Sequence, residues 1–182
     1  MMTLVKRQSV IAALTLSAAL TLSACGGPGS DPGVSVDGTD YSVAELQTAV
    51  QELNSVLAQP TSTAQVVQAL GELPILSGLV AGTPAEITDG QLREVLGNNG
   101  LSEPGRATLD AVRSLQYDAI LNNPGTFQDP RMATTIERMQ ALTDADWEGV
   151  DVDVNPRYGE WDIVNGLTPV TPEWIQSSNP AG

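Results

Sequence analysis

The chain has 182 residues, with 22 acidic side chains against eight basic ones, no histidine and a single cysteine. Its net charge of −14 excludes a nucleic-acid binder, which needs a basic footprint. The missing histidines exclude a Ser-His-Asp triad, a Cys-His pair and the common zinc sites.

The N-terminus reads as a sorting signal. Lys6 and Arg7 form a basic start, and an apolar run from Val10 to Leu22 follows. That run falls short of the roughly 20 apolar residues a membrane span needs. A basic start, a short apolar stretch and a small-residue cut site describe a secretory signal. The cut site, Leu22-Ser23-Ala24-Cys25, matches the bacterial lipobox, in which the cysteine is lipidated and becomes the new N-terminus. Cys25 is therefore the expected lipidation site. The expected location is the extracytoplasmic face of the cell membrane, with the membrane itself reached through the lipid on Cys25. Removing residues 1–24 from the 182 leaves 158, enough for one domain with a core. All the acids and six of the basic residues remain, so the mature net charge is −16, and all six are arginine. A surface this acidic is repelled by anionic lipid, which leaves the acyl chains to hold the protein.

Residues 25–33 read as the lipidated cysteine and a tether, since Gly, Pro and Ser there cannot build a core. Val34 and Val36 alternate ahead of Asp37-Gly38, predicting a short strand and a tight turn. Ser42 with Glu45 forms a capping box, and Val43, Leu46, Val50, Leu53 and Leu57 make one apolar stripe behind it. A second helix is predicted from near Ser62, with Val66, Val67 and Leu70 inward, and Gly71 and Pro74 predict a kink or break in it. Thr88 and Gln91 cap a short helix carrying Leu92, Val95 and Leu96, stopped by Gly97-Asn98-Asn99-Gly100. The next helix is expected from Ser102-Glu103-Pro104, with Leu109, Val112, Leu115, Ala119 and Ile120 on one face. Asp129-Pro130 opens a last helix lined by Met132, Ile136, Met139 and Leu142.

The end of the chain changes character. Val150, Val152 and Val154 alternate with Asp151 and Asp153, which predicts a strand. Asn165-Gly166 predicts a second tight turn. All three tryptophans, Trp147, Trp161 and Trp174, fall in this last part. The layout is mostly α, with about five helices between short terminal strands. It divides into a signal peptide over 1–24, the lipidated tether over 25–33, one domain over 34–165 and a tail over 166–182.

Candidate sites are few. Asp144, Asp146 and Glu148 match the first half of an EF-hand loop. The ninth position of such a loop would be Val152 and the twelfth Asn155, where a bidentate Glu is required. The set is a weak metal candidate; the expected metal and cofactor are none. No Gly-rich phosphate loop of the Walker or dinucleotide type is present. Tyr158 and Trp161 are the aromatic candidates for gripping a client or partner, and their other reading is packing of a late hairpin onto the helices. Arg157 has many carboxylates to pair with.

Val36-Asp37-Gly38-Thr39, followed by Tyr41-Ser42-Val43 and Glu45-Leu46, resembles the opening of SurA-type chaperone N-terminal domains. The string Asn155-Pro156-Arg157-Tyr158-Gly159-Glu160-Trp161-Asp162 resembles the C-terminal segment of actinobacterial lipoproteins that carry that domain. The resemblance spans roughly residues 34–165. It implies that the terminal strands come together beside the helices, and that the helical lobe binds unfolded segments of secreted proteins. Many relatives also carry a parvulin prolyl isomerase domain with characteristic histidines. This chain has neither the room nor a histidine, so the resemblance implies no isomerase and no catalytic residue. Two functions follow as expectations: chaperone-like client binding, or a structural or assembly lipoprotein that docks one envelope partner.

Overall fold

The structure, a computed structural model, describes residues 31–170. The expected signal peptide over 1–24, Cys25 and Trp174 lie outside the described residues. The first strand, β1, is Pro32–Val36, and β2 is Thr39–Ser42. Asp37 (φ 47°) and Gly38 (φ 75°) both take the left-handed conformation between them. This is the primed two-residue turn whose twist matches a hairpin. The first helix, α1, spans Val43–Val56, and the Ser42/Glu45 capping box closes its start. Next come α2 at Thr63–Val80, α3 at Asp89–Asn98 and α4 at Arg106–Leu121. Two single 3₁₀ turns then lead into α5, Ala133–Ala141, and the one-turn α6, Asp144–Glu148. The chain closes with β3 (Val152–Val154), β4 (Glu160–Asp162) and β5 (Gly166–Thr168).

The fold is mostly helical, and the two ends of the described chain share one small antiparallel sheet. Strand β1 lies in its middle, between β2 and β3. Val34 pairs with Val154 and Val36 with Val152, so the apolar face of this sheet is built from both ends of the chain. The Asp151 N–H donates to the Asp37 carboxylate at 2.9 Å, and Asp37 N–H returns the bond to Asp151 C=O at 2.8 Å. Strand β1 begins at Pro32, inside the segment read as tether, and β5 lies beyond residue 165.

Among the described residues the core has two parts. One packs Val34, Val36 and Tyr41 on α1, α3 and the first halves of α2 and α4. The other packs Leu76, Leu79 and Val80 of α2 against Tyr117 and Leu121 of α4 and against Met132. Helix α2 joins them, and of the kink or break expected at Gly71 and Pro74 the break does not occur: α2 continues with Pro74 inside it. A proline in a helix interior costs about 3 kcal/mol. Burying Leu76, Leu79 and Val80 beyond it outweighs that, at roughly 1.5–3 kcal/mol for each aliphatic side chain. The Arg138 guanidinium closes the end of α2 by donating to the carbonyls of Gly78, Leu79 and Ala81. Helix α4 starts at Arg106, later than Ser102-Glu103-Pro104 implied; Gly105 before it is extended, and its N–H donates to the Glu52 carboxylate of α1 at 3.0 Å.

A polar network ties the hairpin to the helices. The buried Tyr41 donates its hydroxyl to Asp110 on α4 at 3.0 Å, and Arg106 lies over its ring at 4.5 Å. Burial and the Asp110 charge push the phenol well above its ordinary range, so it remains a donor. Arg113 holds the other Asp110 oxygen at 2.6 Å and also reaches Asp89 at the start of α3. Arg106 bonds Glu45 at 3.0 Å and the Asp40 carbonyl. Among the described residues no helix is long and apolar enough to cross a membrane.

Tyr41→Phe removes the one neutral donor from Asp110 and leaves the ring in place. The expected loss is about 1.5–3 kcal/mol of unfolding free energy, the range for a bond to a charged group. Urea denaturation of the two proteins side by side measures it.

Candidate functional site

The site is built on the exposed side of α2. Gln68 and Glu72 stand four apart, one helical turn, so their side chains point the same way. Gln68 Nε2 donates to Glu72, and Gln68 Oε1 accepts the Leu167 N–H at 2.6 Å. One amide therefore fixes the Glu72 rotamer and ties the β4–β5 hairpin to α2.

Trp161 makes the second tie. A Cβ placed on Gly71 would lie 2.4 Å from its ring, so the indole rests directly on the helix backbone. The loop beyond it is Ile163-Val164-Asn165, with Gly166 (φ 67°) starting β5. The sequence placed a two-residue Asn-Gly turn here. The loop is longer because the Asp162 carboxylate accepts from the N–H groups of Val164 (2.9 Å) and Asn165 (2.7 Å) and organises it.

Between α2, this hairpin and α6 lies a groove of about 400 Å³. Gln68 and Glu72 line one wall, Trp161 with Ile163 to Gly166 the second, and Asp144 and Trp147 the third. Both indoles are half-buried. The loop residues are open to solvent, with Ile163 40% and Val164 78% exposed. The groove adjoins a smaller hollow of about 190 Å³ between α2 and α4, which shares Gln68 and Glu72 and adds the exposed Leu115. A larger hollow of about 610 Å³ lies over the sheet. Its only aromatic residue is Tyr41, already buried and bonded to Asp110, so that hollow lacks the rigid apolar anchors that make binding sites.

Glu72 is the electrostatic oddity of the groove. Partial burial raises its carboxyl above the ordinary value, the Gln68 amide opposes this, and the nearby Asp118 charge adds to the rise. A carboxylate held where its charge is disfavoured is more expected of a binding surface than of a site selected for stability alone.

The structure separates the two aromatic candidates. Trp161 lines the groove, while Tyr158 packs against the first core and is absent from the groove lining. Asp144, Asp146 and Glu148 do not form a calcium loop: they lie on α6, where Asp144 and Asp146 point away from one another. Asp146 is committed to capping, accepting from the Thr143 N–H at 2.8 Å and from its hydroxyl at 2.7 Å. No group of three or more metal-ligating side chains gathers among the described residues. Arg157 lies 3.6 Å from Asp31 with both side chains more than half exposed, a pair of little energetic weight. Sequence reasoning missed Gln68 and Glu72. Their signal was a polar pair one turn apart beside Gly71, a glycine in mid-helix that makes room for an aromatic ring.

Two substitutions test this geometry. In an open helix interior, Gly→Ala stabilises by about 1 kcal/mol. At Gly71 the new methyl meets Trp161, so Gly71→Ala is expected to destabilise the natural chain by about 1–3 kcal/mol and to stabilise a Trp161→Ala background. A double-mutant cycle by chemical denaturation reads the change of sign. Glu72 gives a pH test. Its folded carboxyl binds a proton more tightly than the unfolded chain, so its contribution is most favourable below the ordinary carboxylate range and is lost as pH rises through the raised value. Glu72→Gln is therefore expected to raise the melting temperature at about pH 7 and to change it little below about pH 4.

No protein-family model, curated protein or solved structure matches the chain, so the likeness to SurA-type domains rests on the quoted terminal motifs alone.

Proposed function

We propose that the chain is a membrane-tethered lipoprotein whose helical lobe holds unfolded segments of secreted proteins, without isomerase activity. The observation that carries this reading is the groove beside α2, with two half-buried indoles and a projecting aliphatic loop. Rigid aromatic surface grips apolar side chains of varied shape at low entropic cost. The amides of Gln68 and Asn165 offer bonds that an extended peptide backbone accepts or donates. Supporting it are the terminal motifs and the arrangement they imply, strands from both ends joined beside a helical body. The lipobox at Cys25 supplies the anchor, and the strong negative charge keeps the body off anionic lipid.

Aggregation of a denatured client, followed by light scattering, tests the reading. Residues 26–182 in molar excess are expected to suppress scattering, and Ile163→Asp with Val164→Asp to remove most of that protection without lowering the melting temperature. Equal protection by both proteins, or none by either, ends the proposal. Crosslinking of the lipidated chain in membranes addresses the alternative. Many diverse adducts agree with client holding, whereas one stoichiometric adduct indicates an assembly lipoprotein with a single partner.

A further inference from the structure

The groove beside α2 carries negative charge that no described residue neutralises. Glu72 of α2 and Asp144 of α6 line it, and Asp118 of α4 lines the adjoining hollow with Glu72. None of the six arginines among the described residues lines either space. Arg106, Arg113, Arg131 and Arg157 are in ion pairs elsewhere, Arg138 closes the end of α2, and Arg93 lies on α3. Glu72, Asp118 and Asp144 join no ion pair among the described residues. Gln68 donates to Glu72, and Asn122 to Asp118 at 2.7 Å, but these are neutral amides and leave the charge in place. Facing the carboxylates are the indoles of Trp147 and Trp161 and the exposed Val164. We propose that the groove selects unfolded segments that carry an arginine or a lysine beside an apolar side chain. The inference rests on the client-binding reading and names the kind of segment that is held.

Charge and shape agree on this occupant. Arginine and lysine have an apolar stem and a charged head. The stem and the apolar neighbour suit the indoles and Val164, and the head suits the carboxylates. An indole face attracts a cation in its own right. Glu72 gains most from such a partner. Burial and the Asp118 charge disfavour its ionised form, and a cation beside it reverses that balance. The Gln68 amide already holds the Glu72 side chain, so pairing costs little further rotamer entropy. No group of three or more metal-ligating side chains gathers among the described residues, so the charge suits an organic cation on a long arm better than a metal ion. A second copy of the chain is the poorer occupant, because residues 31–170 carry 21 acidic side chains against six arginines and two such bodies repel.

The test is fluorescence anisotropy with two dye-labelled peptides in a Gly-Ser frame, one with a central Phe-Arg-Leu and one with Phe-citrulline-Leu. Citrulline keeps the shape of arginine and removes its charge. The protein is the chain without residues 1–25, which leaves every described element intact. At about 50 mM salt the arginine peptide is expected to bind about tenfold more tightly than the citrulline peptide. Glu72→Gln with Asp144→Asn is expected to cut that preference to about twofold or less. Glu94→Gln with Glu137→Gln removes the same charge from exposed positions on α3 and α5, outside the groove lining, and is expected to keep the preference. An equal fall in the two double variants assigns the preference to the charge of the whole body and overturns the inference. Equal binding of the two peptides by the natural sequence also overturns it. If that equal binding is lost on Ile163→Ser with Val164→Ser, the client-binding reading stands and the cation preference alone has failed. Binding of neither peptide ends the client-binding reading, and the inference with it.

Discussion

Everything in this fold depends on β1 accepting a second partner on its free edge. The bond from Asp151 N–H to Asp37 closes a separation of 114 residues. Closing a loop of that length costs about 4 kcal/mol of chain entropy, beyond the constant for any closure. Val34 and Val36 become fully covered only when α1 is behind them and the strands are beside them, and each returns roughly 1.5–3 kcal/mol. The hairpin and the capped helices are local structures. The pairing of β3 with β1 is not, and it makes one body of the two ends of the described chain.

From that closure the groove follows. Once β3 is fixed, the short turn at Asn155 to Tyr158 delivers β4, and Trp161 arrives over Gly71. Gln68 then captures the Leu167 N–H, and the hairpin becomes one wall of a groove whose other walls are α2 and α6. The polar network around Tyr41, Asp110, Arg106 and Arg113 works at the opposite end of the same closure, clamping β2 onto α4 and α3. The long helix α2 spans both parts of the core, so the groove is formed on the element that joins them.

Much of this was legible in the chain because it is written locally. The capping residues Ser42 and Thr88, the Asp37-Gly38 turn and the apolar stripes of α1 and α3 each occupy a few adjacent residues and work where the sequence places them. The misreadings came where a distant contact overrode a local rule. Pro74 and Gly71 argue for a kink or break, yet the helix continues through them into a buried aliphatic cluster, with an indole from far along the chain against Gly71. Helix α4 starts later than read, with Gly105 extended before it and bonded to a carboxylate on α1. The groove was hardest to see, since Gln68 and Glu72 are ordinary surface residues until the hairpin lies over them. Trp161 was recognisable as an aromatic outlier, whereas Tyr158, its near neighbour, serves the core.

The central place of β1 also has a mechanical meaning. The described chain enters the fold at Pro32, the first residue of a strand bonded on both sides. If the chain is held through its N-terminus, as proposed, a pull on that end is taken up first by β1. Strands loaded lengthwise between two neighbours resist in shear, with all their ladder bonds strained together; strands loaded sideways unzip one bond at a time. On the proposed anchoring, the fold would thus meet tension at its first, doubly bonded strand.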